Sequence, residues 1–116
     1  MFGMMYYKQG DIVRIDFPYS DGSGYKARPA IIVSCNKFNA REDELIFVAM
    51  TTKGYHKDSY KLYGAHLTKA MSQTSYIHYA NIYRIHKNHI RYKVSSLNEK
   101  GYNKLKLRIF SIIRPS

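Results

Sequence analysis

The longest unbroken apolar run in the chain is Leu45 to Met50, and its shortness decides the class of fold. A membrane-spanning helix needs about 20 apolar residues, and a core helix roughly 10 or more. Six residues centred on Ile46, Phe47 and Val48 suit a buried strand instead. Earlier in the chain, Asp11 to Phe17 alternates, with Val13, Ile15 and Phe17 on one face and Arg14 and Asp16 on the other. Pro18 closes that strand, and the loop Tyr19 to Lys26 carries Ser20, Asp21, Gly22, Ser23 and Gly24. Pro29 has no N–H to give a central ladder, so it is expected at the first residue of a strand running through Ser34.

Beyond a polar connection from Lys53 to Asp58, three strand pieces follow: Ser75 to Tyr79, Ile82 to Ile85, and His89 to Val94. The last segment changes period. Tyr102, Leu105, Ile109, Ile112 and Ile113 fall three or four apart, which predicts a helix over 96–113. Ser96 and Glu99 have capping-box spacing at its start, Gly101 costs it helicity, and Pro115 closes it. Several short strands and a terminal helix suggest one domain over 1–116, a small β-barrel carrying helices. A chain of 116 residues can bury a core without a disulfide or structural metal. Cys35 is the only cysteine, which excludes an intramolecular disulfide and suits a reducing cytoplasm. Met1 to Tyr7 is apolar but has neither the basic start nor the length of a signal peptide.

Charge supplies the first functional clue. Nineteen Lys and Arg oppose eight Asp and Glu, a net of +11. Residues 1–50 balance, so the whole excess lies in 51–116, where Asp58 and Glu99 are the only acids. Such a field attracts polyanions: nucleic acid, an acidic protein segment or an anionic membrane. Between Tyr76 and Lys93, tyrosines interleave with His78, Arg84, His86, Lys87, His89 and Arg91. Aromatic faces stack unpaired bases while cations hold phosphates, as single-stranded nucleic acid requires. The same pattern also suits plain barrel strands whose tyrosines bury their rings and whose cations face water.

Enzyme signatures are few. There is no Gly-Lys-Ser/Thr phosphate loop and no Gly-x-Ser-x-Gly elbow, and His86 and His89 lack companions for a metal site. What stands out is Arg28, set after a flexible loop and before Pro29, and Thr51-Thr52 at the end of the buried strand. A guanidinium and two hydroxyls at strand ends can hold a phosphate, although each alone is an ordinary loop or strand-end residue.

These features, in this order, resemble the MazF/PemK family of toxin endoribonucleases, within the CcdB/PemK-like superfamily. The text that carries the resemblance is Gly10 to Phe17, Arg28 to Ser34, Asn36 to Asn39, Glu44 to Thr52, and Ser75 to Ile77 with Ile82 and Ile85. It implies a mainly β fold, an SH3-like small barrel with short helices and a C-terminal helix, as a symmetric homodimer. It implies metal-independent, sequence-specific cleavage of single-stranded RNA in the cytoplasm, with no cofactor, blocked by an acidic antitoxin. The family's catalytic arginine falls on Arg28 and its catalytic threonine on Thr51. His78 stands where a relative has a working arginine, and Ala80 where the family often has an acid, so part of the proton transfer is expected to fall to His78. RNA contacts are expected from Tyr19, Ser20, Lys26, Thr52, Lys53, Asn81 and Arg84. The implied reaction is attack by a ribose 2′-hydroxyl on the adjacent phosphorus, giving a 2′,3′-cyclic phosphate. The alternatives are a gyrase poison of the CcdB branch, whose members carry a Trp near the C-terminus that this chain lacks, and an inactive RNA-binding barrel.

Overall fold

The computed structural model describes residues 6–19, 21–54 and 56–116. The alternating and apolar runs form strands: β1 Asp11–Pro18, β2 Tyr25–Ile32, β3 Glu44–Thr51, β4 Ser59–Lys61, β5 Tyr76–His86 and β6 Ile90–Ser96. A short helix α1, Asn36–Arg41, joins β2 to β3, and α2, Glu99–Ile113, follows β6. The strands make one antiparallel sheet in the order β4-β5-β3-β2-β1-β6. Its two edges approach each other at a seam rather than a ladder. Leu67 bridges Leu97, and the Thr68 N–H donates to the Ser96 carbonyl at 2.9 Å. The small barrel is therefore a curled sheet, joined at one point instead of being closed by a sixth strand pairing.

Because successive strand residues face opposite ways, the sheet buries both faces. Ile12, Ile31, Val48, Met50 and Ile77 pack with Leu105 of α2, against which Tyr102 and Ile109 also lie. Val13, Ile15, Ile32, Leu45, Phe47 and Ile85 form the second core, with Phe17 at its margin. The helical stripe is thus confirmed through Ile109, while Ile112 and Ile113 remain exposed.

Three local expectations are corrected. Pro29 does not open its strand: β2 begins at Tyr25. A residue without an N–H is tolerated there because β2 pairs with β3 only over Ala30–Ile32, leaving residues 25–29 an edge on that side. The cap of α2 is Asn98, whose Oδ1 accepts from the Gly101 N–H at 2.9 Å, not Ser96. Ser96 ends β6, because burial of Leu97 at the seam prolongs the sheet by two residues. Finally, the two strand pieces after Ser75 are one strand, β5, interrupted by an irregularity.

A candidate nucleic-acid cleft

The site forms where β2 and β3 part. Their register sets Ala30 opposite Ala49, and two further steps would set Arg28 opposite Thr51. Pro29 cannot donate across that gap, so the strands splay and leave both side chains facing a cleft. This cleft has a volume of about 530 Å³, with Tyr19, Lys26, Arg28, Thr51, His78 and Asn81 on its walls. A second hollow of about 280 Å³ shares Lys26, Arg28 and Thr51 and adds Arg14, Thr52, Lys53 and Gln73. Together they make one groove running past Arg28 and Thr51.

Each side chain is positioned for a reason. Thr51 ends β3, and its Oγ1 accepts from the Lys53 N–H at 3.1 Å, which leaves the hydroxyl proton to donate elsewhere. Arg28 is exposed, and no described residue forms an ion pair with it. His78 owes its place to a wide bulge. Ala49 pairs with His78, but the next residue back, Val48, pairs with Ile82. Three extra residues, Tyr79 to Asn81, are accommodated between them, and the bulge turns Asn81 back onto His78. The Asn81 amide nitrogen lies 3.0 Å from His78 Nδ1. An amide pairs with that nitrogen in either sense, donating to it bare or, turned over, accepting from Nδ1–H.

A second imidazole completes this wall, and the sequence did not flag it. His56 stacks on His78 with ring centroids 5.5 Å apart and planes 8° from parallel. It arrives on the turn before β4, where Asp58 takes a left-handed φ of 61°. Ser59 Oγ accepts from the His56 N–H at 3.1 Å and donates to the His56 carbonyl. The only signal is topological: β4 sets Ser59 opposite His78, which brings the preceding turn over the same ring.

The electrostatics differ from the expectation based on the basic half. Arg84, Lys87, Arg91 and Lys93 pair with Glu42 and Glu44, Asp43, Asp16 and Asp11 respectively. Arg84 also lies over the ring of Phe38 in α1, so the structure does not bring it to the groove. Most of the groove's cations come from the neutral half: Arg14, Lys26 and Arg28, joined by Lys53, and no carboxylate lines either hollow. Of the interleaved run, His78, Asn81 and Tyr83 line the cleft, whereas Tyr79 is buried in the core. Asp21, in the loop beyond Tyr19, is held below the usual carboxylate range by hydrogen bonds from Ser23. Ser20 lies outside the described residues. Among the described residues, no three His, Cys, Asp or Glu side chains come together to hold a metal ion.

A cationic, acid-free groove with an arginine facing a strand-end threonine matches the residues on which the resemblance rested. The family model for PemK-like, MazF-like toxins of type II toxin-antitoxin systems matches residues 8–113. The chain belongs to that family. Among solved structures it is similar to an endoribonuclease from a Mycobacterial species, at 19% identity and a TM-score of 0.74, covering 93% of this chain and 91% of that one. It is similar to an endoribonuclease in complex with its cognate antitoxin, also Mycobacterial, at 20% identity and a TM-score of 0.75, covering 95% and 98%. A MazE-MazF crystal structure from Deinococcus radiodurans matches at 13% identity and a TM-score of 0.77, covering 97% and 100%. At these identities the likeness establishes the fold. No curated protein gives a significant match.

Proposed function

We propose that this chain is an endoribonuclease toxin that cuts single-stranded RNA at specific sequences without a metal ion. The observation that carries this reading is the acid-free cationic groove in which Arg28 and Thr51 stand on parting strands. Two relatives of the same fold are endoribonucleases, one solved with its cognate antitoxin. The substrate's own 2′-hydroxyl is the nucleophile, so no activated water is required. Arg28 suits the pentavalent phosphorane, because its planar fork donates two parallel bonds to phosphoryl oxygens and stays charged. Thr51 donates its free hydroxyl proton to a further oxygen. His78, at the groove wall, handles a proton. Tyr19, Lys26, Thr52, Lys53 and Asn81 line the groove on either side and hold the flanking nucleotides.

An acidic antitoxin segment is the natural inhibitor of such a groove, since it gains charge-assisted bonds where RNA would. A homodimer acting in the cytoplasm completes the reading. The exposed Leu107, Phe110 and Ile113 of α2 offer apolar surface for a second copy. The test is direct. Purified protein incubated with mixed-sequence single-stranded RNA in EDTA should leave 2′,3′-cyclic phosphate and 5′-hydroxyl ends, and DNA of the same sequence should survive. A requirement for magnesium, or intact RNA, refutes it.

A further inference from the structure

We infer that His56 and His78 work as an acid–base pair, with His78 the general base and His56 the general acid of the cleavage. This rests on the ribonuclease reading above and extends it to a residue outside the family-derived site. Cleavage through a 2′-hydroxyl needs one group to take the proton from that hydroxyl and another to protonate the departing 5′-oxygen. The cleft contains no carboxylate for either task. The groups that face the pair are Lys26 and Arg28 from β2, Tyr19 from the loop after β1 and Tyr83 from β5. β3 contributes Thr51 and no charged group, and the neighbouring Lys57 and Asp58 of the His56 turn do not line the cleft. Lysine, arginine and tyrosine ordinarily titrate far above neutrality, so the two imidazoles are the proton carriers available near pH 7.

Their geometry divides the roles. Parallel rings 5.5 Å apart beside Lys26 and Arg28 disfavour two positive charges at once, which suits the two imidazoles to opposite roles, one taking a proton and the other giving one. His56 is exposed and His78 half-buried, so the cationic role is given to His56, where water can solvate the charge. The base role requires the Asn81 amide to present its oxygen rather than its nitrogen to His78, accepting from Nδ1–H and so pinning the neutral tautomer whose Nε2 is free to accept. Both ring nitrogens of His56 lack a hydrogen-bond partner among the described residues, and its turn is closed only through backbone and Ser59. In the step itself, the 2′-O–H proton passes to His78 Nε2 as the 2′-oxygen bonds to phosphorus. The P–O5′ bond breaks, its electron pair stays on the 5′-oxygen, and the His56 imidazolium supplies that oxygen's proton. Exchange with water restores the starting protonation.

The experiment compares wild type, His56→Ala and His56→Phe on a single-stranded RNA containing the cleaved sequence, and on the same RNA with a bridging sulfur at the 5′ position of the scissile bond. A thiolate leaves without being protonated, so it makes a general acid unnecessary. The expected result is a loss of about 10²–10⁴-fold in kcat on ordinary RNA for both variants, and a loss within about threefold on the sulfur substrate. Wild type should give a bell-shaped pH–rate profile, and the variants should lose its alkaline limb, since that limb reports a required acid. Retained activity in His56→Phe would make the ring a stacking platform and overturn the assignment. Equal losses on the two substrates would also overturn it, by placing His56 in binding or folding. Wild type that cuts RNA while His56→Ala cuts it equally well sinks the pair alone. Wild type that cuts no RNA sinks the ribonuclease reading on which it stands.

Discussion

Gly101 offers a test of how α2 is held, in which two known effects oppose each other. It lies in the first turn of α2, where alanine is intrinsically better than glycine by about 1 kcal/mol. A Cβ at this position would lie 2.6 Å from the His66 carbonyl oxygen and 2.8 Å from His66 Cβ. The oxygen is backbone and cannot swing away, because it accepts from the Asn98 N–H at 2.9 Å and the adjacent Leu67 is bridged to Leu97. Gly101→Ala must therefore lift the helix start from the 3-10 turn Gly64–His66, at an overpacking cost of about 1–3 kcal/mol. That movement also weakens the Asn98 cap, worth a further 0.5–2 kcal/mol or so. After the propensity gain, a net destabilisation of about 0.5–4 kcal/mol remains, which lowers Tm by roughly 2–16 °C in a domain of this size. Thermal unfolding followed by far-UV circular dichroism measures it. Gly64→Ala is the control: it lies in the same turn with open space around it, and should shift stability by less than about 0.5 kcal/mol. A Gly101→Ala protein that melts at or above wild type would refute the claim that α2 is pressed onto this turn.

Arg28→Ala should lower cleavage about 10²–10³-fold with Tm almost unchanged, since its side chain is exposed and forms no ion pair among the described residues. Arg28→Lys should recover only part of the rate, because it restores charge without the two-pronged geometry; full recovery would refute bidentate phosphate binding. Thr51→Ala should slow single-turnover cleavage less than Arg28→Ala, as it removes one neutral donor. Tyr60 has a buried hydroxyl that no described residue pairs with, and burial, partly opposed by Arg108, pushes its pKa well up. The unfolded tyrosine ionises near pH 10 while the folded one stays protonated, so this residue costs stability as pH rises past about 10. Tyr60→Phe should be about 1 kcal/mol more stable at pH 7 and gain further above pH 10 in urea titrations. An antitoxin segment and RNA should compete for the protein in fluorescence anisotropy; simultaneous, independent binding would rule out a shared groove.

The strands were legible because they follow from local pattern, alternation in β1 and an apolar run in β3, and Arg28 and Thr51 stood out only as residues at strand ends, the arginine beside a proline one step from the last paired residue. The cap of α2 was misread for a local reason overridden by a distant one. Ser96 and Glu99 have the spacing of a capping box, but Leu97 is needed at the seam with Leu67, so the helix starts later on Asn98. The bulge in β5 was visible only as a gap between two strand-like pieces. Nothing in Tyr79-Ala80-Asn81 announces that the chain continues in the same ladder with three residues to spare. His56 was hidden more deeply, since it sits in a polar connection and meets His78 only through the pairing of β4 with β5.

Charge is where sequence order misleads most, and the reason lies in the topology. The acid-balanced first half and the basic second half are not two regions of the fold: β6 pairs with β1, and β5 pairs with β3. Asp11, Asp16, Asp43, Glu42 and Glu44 are thereby set against Lys93, Arg91, Lys87 and Arg84 along those seams. Apart from the pair on the buried Asp11, these are largely exposed pairs that add little stability, commonly under about 1 kcal/mol each. Their larger effect is on the field, because acids engaged there are not at the groove. Arg14, Lys26, Arg28 and Lys53 are left without a carboxylate among the groove's walls, and an anionic strand meets no repulsion along it. The selectivity of the groove for a polyanion therefore depends on where the acids are held as much as on where the cations stand.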